Sequence, residues 1–163
     1  MLIINCNNYS DSYQWYKGNL HTHTFWSDGD APPEITVDWY KSNGYDFLAL
    51  SDHNILSTVE KWIKVHDNDP GGWPPTMTKT KLKDIQNKFG FHWINTRIKD
   101  DTLEMQLTTL DKLKIKFETD NEFLLIQSEE ISDKYEKTPI HIYATNISEF
   151  IPPQVGNSIF DVL

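Results

Sequence analysis

The sequence holds one cysteine, Cys6. That excludes an internal disulfide and any thiolate zinc site, and it leaves the redox compartment open. Basic residues are also scarce, with 15 Lys and Arg against 24 Asp and Glu and a net charge of -9. Binding a phosphate backbone needs clustered cations, so nucleic acid is not an expected partner. No apolar run approaches the ~18 residues of a membrane span. The opening Met1-Leu2-Ile3-Ile4 is too short for the apolar core of a signal peptide, and no basic residue precedes it. A cytoplasmic protein with no membrane partner is the expectation. Internal repeats and low-complexity tracts are absent too.

What is present is enough for one sizeable core: 163 residues, 38% of them hydrophobic. Residues 1–16 are polar and aromatic without a period and read as a lead-in; residues 17–163 read as the domain. A first strand is expected from Lys17 to His23, followed by a turn-rich loop, Phe25-Trp26-Ser27-Asp28-Gly29-Asp30. Pro32, Pro33 and Glu34 suit the first turn of a helix, where missing N–H groups cost little and a carboxylate meets the positive dipole end. Asn43-Gly44 suits its close. Asp46 to Ser51 is apolar without alternation, as in a strand covered on both faces of a parallel sheet. Residues 17–53 therefore read as a βαβ unit.

Further along, a helix is expected over Thr58–His66, a Pro- and Gly-rich loop over Asp67–Pro75, and a helix carrying Leu82, Ile85 and Phe89. Leu103, Leu107, Leu110, Leu113 and Phe117 step at helical intervals, which predicts one amphipathic helix over 103–118. Residues 67–102 form an excursion too long for a simple connection. Phe123–Gln127 and Pro139–Tyr143 read as third and fourth strands. Ser158 could cap a last helix.

Chemistry concentrates at the predicted strand ends. His21 and His23 share a face if their segment is a strand, because successive side chains alternate. Ser51-Asp52-His53-Asn54 follows the second strand, and adjacent parallel strands bring such ends to one rim. Glu130 follows the third strand and His141 lies in the fourth. Imidazoles mixed with carboxylates suit Zn, Mn or Fe. A neighbouring carboxylate such as Asp52 can orient an imidazole. Taken singly, His141 reads as a core histidine, Asp52-His53 as a capping turn, and Arg97 as a solvated charge. His66 and His92 read as surface or packing residues.

Taken together, His21-Thr22-His23, Ser27-Asp28-Gly29, Ser51-Asp52-His53-Asn54, Glu130 and His141, with the linking phrase Gly44–Leu50, resemble the PHP (polymerase and histidinol phosphatase) domain over roughly residues 17–150. The resemblance implies a distorted (β/α)7 barrel, two or three divalent metal ions (Zn, Mn or Fe), and hydrolysis of small-molecule phosphoesters. Carried over by motif, His21 and His23 bind one metal, Glu130 bridges to a second that His141 helps to hold, and His53, with Asp28, belongs to a third. Asp52 and His53 carry the catalytic role.

The family's later histidine and its Asp-x-His have no counterpart here. The expectation is therefore a partial barrel: an amino-terminal portion, or a chain whose open edge a partner covers, since a complete barrel takes ~200–250 residues. Hydrolysis of an amide, carbamate or ester, as in the amidohydrolase superfamily, is one alternative; an inactive metal-binding fragment is another.

Overall fold

The computed structural model describes residues 14–154 together with 156, 158 and 160. The chain is mixed α/β. Its larger sheet has four strands, β1 (Gly18–Asn19), β2 (Phe47–Leu50), β6 (Leu124–Tyr135) and β7 (Thr138–Thr145), in the order β1-β2-β6-β7. The first three run parallel, and β7 returns antiparallel to β6. A second, antiparallel sheet has the order β3-β5-β4, from β3 (Trp62–Lys64), β4 (Thr96–Lys99) and β5 (Thr102–Gln106). Helices α1 (Pro33–Ser42), α2 (Lys79–Phe89) and α3 (Leu110–Phe117) complete the fold. None of the described helices is long and apolar enough to cross a membrane.

Two apolar clusters organise these elements. One joins Val37 of α1 and Leu110, Leu113 and Phe117 of α3 to Leu48, Leu50 and Leu125 of the parallel strands. The other packs Trp26 with Val65, Met77, Leu82, Ile85, Met105 and Leu107 around the second sheet. Pro33 opens α1 as expected, and Gly44 takes φ 70° just beyond it.

Several expectations are corrected. The first regular strand is only Gly18–Asn19, although Ser51 N still donates to Thr22 O at 2.9 Å beyond it. The segment expected as a helix over 58–66 contains strand β3 instead, with Ile63 facing the second core cluster and Trp62 stacked under Arg97 at 4.0 Å. The helix expected over 103–118 is strand β5 followed by α3. Leu103, Met105 and Leu107 alternate inward, and a step of four residues satisfies a period of two as well as a helical turn. The strand bearing His141 is antiparallel, not parallel. The 67–102 excursion belongs to a larger unit, the second sheet with α2, which begins at β3. Most of the lead-in and of the helix expected from Ser158 lies outside the described residues.

Glu34 lies between the clusters and is fully buried. Thr108 Oγ1 donates to its Oε1, while its Oε2 finds no donor among the described residues. Burial pushes this carboxyl above the ordinary glutamate range, and the Thr108 hydrogen bond only partly offsets that. A raised folded-state pKa favours the folded state below the ordinary glutamate value and costs stability as pH climbs toward the raised one. Glu34→Gln is therefore expected to flatten the stability profile in that window and to match or exceed the parent at pH 7 by roughly 1–2 kcal/mol. Urea unfolding across pH measures it; an unchanged profile in the variant contradicts it.

Candidate metal centre

The segment after β1 carries His21 and His23 along the end of β2. Asn19 Oδ1 accepts from His21 N at 3.0 Å, and Ser51 Oγ accepts from Thr22 N at 3.0 Å. The alternation expected of a strand holds locally: Thr22 is buried, and the two imidazoles meet with ring centroids 4.8 Å apart.

The next turn is built on Asp52. Its carboxylate accepts from Thr24 N (2.7 Å), Thr24 Oγ1 (2.9 Å), Ser27 N (3.0 Å) and Ser27 Oγ (2.7 Å). Trp26 anchors the same turn by donating from Nε1 to Thr108 O at 3.1 Å. Gly29 donates to Thr24 O at 2.9 Å, and a Cβ at Gly29 would lie 2.4 Å from the His23 backbone, so only glycine fits. This turn delivers Asp28 Oδ1 to His23 Nδ1 at 2.9 Å. Burial pushes Asp28 up, but the His23 hydrogen bond and the nearby His53 and His23 rings outweigh it and hold the carboxyl below its usual range. Burial raises Asp52, with the Thr24 and Ser27 donors partly offsetting it.

His53 pairs as an isolated parallel bridge with Glu130, beyond the end of β2. Asn54, at φ 50°, fastens this junction: its side chain donates to Ser132 O (2.9 Å) and accepts from Ser132 N (2.8 Å). On β6, Glu130 and Ser132 share one face while Glu129 and Ile131 take the other. Glu129 is completely buried and accepts from Ile151 N at 3.0 Å. The β6–β7 register sets Ser132 opposite His141 and Glu130 opposite Tyr143.

Six of the predicted site residues fall into this arrangement. Glu130 Oε2 lies 3.0 Å from His21 Nε2, 2.5 Å from His23 Nε2 and 3.6 Å from His53 Nδ1. Glu130 Oε1 lies 2.7 Å from His141 Nδ1. Asp28 Oδ1 is 3.6 Å from His53 Nε2. The Glu130 side chain is 4% exposed, whereas His21 is 45% and His141 40% exposed, so the carboxylate is covered and the cluster opens to solvent on the His21 and His141 side. The ligand atoms of three triads lie within 4.8 Å of one another: His21-His23-Glu130, His23-Asp28-His53 and His53-Glu130-His141. Asp52 is not among them; it supports the turn below. His66 and His92 are in none of the triads. Arg97 pairs with Glu104 at 2.6 Å on the second sheet.

Two neighbours of the cluster were missed. Ser132 Oγ sits between His53 Nδ1 (2.5 Å) and His141 Nδ1 (2.9 Å). The Tyr143 ring lies 4.1 Å from that of His21. Both stand two residues from a predicted ligand on the same strand face, a spacing that could have found them.

The donor set suits a cation. His23 faces a carboxylate from each ring nitrogen, yet a neutral imidazole carries only one N–H. Either a second proton or a metal ion must lie in the other contact. Ligand bonds of 2.0–2.2 Å put neighbouring donors about 3.0–3.5 Å apart. Two of the three contacts in the His21-His23-Glu130 triad, at 3.0 Å each, are already there, and the His23–Glu130 contact would open by a few tenths of an ångström. No family model matches the chain, and no curated protein matches its sequence.

Proposed function

We propose that the protein is a metal-dependent hydrolase that cleaves small phosphoesters at the His/Glu/Asp cluster. The observation that carries this reading is the convergence of three imidazole nitrogens within 3.6 Å of one buried carboxylate oxygen, Glu130 Oε2. The motif resemblance to the PHP domain supports it. So does the placement of α1 and α3 against the parallel strands β1, β2 and β6, an arrangement compatible with part of a (β/α)7 barrel.

The ring-nitrogen count favours two cations over three. The His21-His23-Glu130 and His53-Glu130-His141 triads share only Glu130, whose Oε2 faces His21, His23 and His53 and whose Oε1 faces His141. Filling the third triad as well would ask His23 and His53 to ligate through both ring nitrogens, and neutral imidazole has one lone-pair nitrogen. In the two-ion assignment Asp28 accepts the His23 Nδ1 proton and fixes that ring's tautomer. Ser132 turns its hydroxyl between His53 and His141. Zn, Mn and Fe all suit this donor set. A bound pair of such ions supplies Lewis acidity and brings the pKa of water toward neutrality. Glu130 would supply negative charge to both ions, and the exposed His21 and His141 leave the approach open.

A second reading, hydrolysis of a carbonyl ester or amide, is favoured by one feature: among the described residues, no Lys or Arg lines the cleft beside the cluster to receive phosphate oxygens. The test is metal analysis of the purified protein and a panel of phosphate and carbonyl esters. Two bound ions and phosphatase activity are expected, with one ion remaining in His21→Ala/His23→Ala. Activity on carbonyl esters alone selects the second reading; full activity in the double variant or in chelated protein rejects both.

A further inference from the structure

His21, His23 and Asp28 of the cluster form one end of a cleft of about 470 Å³, within the size range of small-molecule sites. Its other walls are Ile35, Trp39 and Tyr40 of α1 and, across from them, Trp73. Large aromatic side chains are normally well covered, yet Trp39 is 54% and Trp73 69% exposed. Tyr40 is held rigidly. Its hydroxyl accepts from Asn19 Nδ2 at 2.5 Å, and its ring meets Trp39 and Tyr45 edge-on at 5.0 and 4.7 Å. Among the described residues, the charged groups lining the cleft, apart from its histidines, are both carboxylates, Asp28 and Asp30.

These walls offer flat apolar surface and negative charge. In the metal-free cleft the carboxylates repel an anionic ring, while an uncharged planar ring stacks against tryptophan and covers exposed indole. We propose that the cleft receives an uncharged aromatic group, which makes aryl esters the substrate class of the neighbouring cluster. This substrate assignment rests on the hydrolase reading above; ring binding by the cleft does not. The reaction is an ordinary hydrolysis. The oxygen of water bonds to phosphorus and the phosphorus–aryloxy bond breaks. Its electron pair goes to the phenolic oxygen, which takes up a proton, and the products are a phenol and phosphate.

The test separates binding from turnover. Equilibrium dialysis of 2-naphthol against chelator-treated protein is expected to give saturable binding of one molecule per chain, weakened about tenfold by Trp39→Ala and similarly by Trp73→Ala. Both side chains are exposed, so neither change removes core packing. In metal-loaded protein, kcat/KM is expected to be at least about tenfold higher for 2-naphthyl phosphate than for glycerol 1-phosphate, and that advantage is expected to fall by a similar factor in Trp39→Ala and in Trp73→Ala. Absence of naphthol binding, or binding that both variants leave intact, overturns the proposal even if phosphoesters are hydrolysed. Naphthol binding that depends on Trp39 and Trp73 in a protein that hydrolyses no ester retains the aromatic cleft and discards the hydrolase reading.

Discussion

Glu130→Gln is expected to weaken divalent-ion binding by two to three orders of magnitude and to abolish any hydrolysis that depends on it. The carboxylate is 4% exposed and is the one group shared by the two compatible triads. The amide preserves its volume but removes its charge, and its nitrogen cannot ligate. Breaking a buried charged arrangement by neutralising one partner costs about 3–5 kcal/mol, which is a factor of roughly 200–5,000 in affinity. Linkage supplies a second readout. An ion present at 1,000 times its dissociation constant stabilises the folded state by about 4 kcal/mol, and the variant should lose most of that gain. Glu129→Gln is the control, because Glu129 lies on the opposite face of β6 and accepts from Ile151 N. Zinc titration by calorimetry, with thermal unfolding in zinc and in chelator, measures both effects. Tight binding of two ions in Glu130→Gln would remove the basis for the assignment.

The second large effect is expected at a residue whose side chain is in none of the triads. Asp52→Ala removes one buried carboxylate that receives four hydrogen bonds, two of them from the backbone N–H groups of Thr24 and Ser27. Leaving a buried donor unsatisfied costs about 1–3 kcal/mol, so the expected loss is roughly 3–4 kcal/mol in urea unfolding of the metal-free protein. Asp52→Asn keeps one acceptor oxygen, and the Thr24 hydroxyl can turn to accept from the new amide. Its cost should be nearer ~1 kcal/mol. Because the turn delivers Asp28 to His23, ion affinity in Asp52→Ala should also fall by about 10–100-fold. An unchanged unfolding midpoint in Asp52→Ala would mean that the turn holds its shape without this carboxylate.

The cluster itself was readable because its residues obey short-range rules. His21 and His23 alternate to one side, and parallel strands bring the ends of β1 and β2 together. Helix α1 was readable from its proline start and glycine stop. What escaped was pairing between distant segments. Val59 and Ile63, like Leu103 and Leu107, stand four residues apart, a spacing that both a strand and a helix accept, and only the packing of Ile63, Leu103 and Leu107 in the cluster with Met77 and Ile85 decides for the strand. The β6–β7 hairpin carries no Asn-Gly or Asp-Gly at its turn, so nothing local announced that the chain doubles back. The turn that Asp52 supports was hidden for a related reason. A carboxylate beside a histidine suggests chemistry, but the number of donors folded around it is visible only in three dimensions.

That hairpin turns on two residues, Glu136 and Lys137, with Glu136 at φ 54° between the paired Tyr135 and Thr138. Side chains along a strand change sides at every step. Lengthening or shortening this bend by one residue would swing the His141 ring to the far side of the ribbon and bring Ile140 or Ile142 against Ser132 instead. The length of the bend is therefore constrained as well as the left-handed conformation at Glu136, and a single-codon insertion there would be a lesion of the metal centre at a distance.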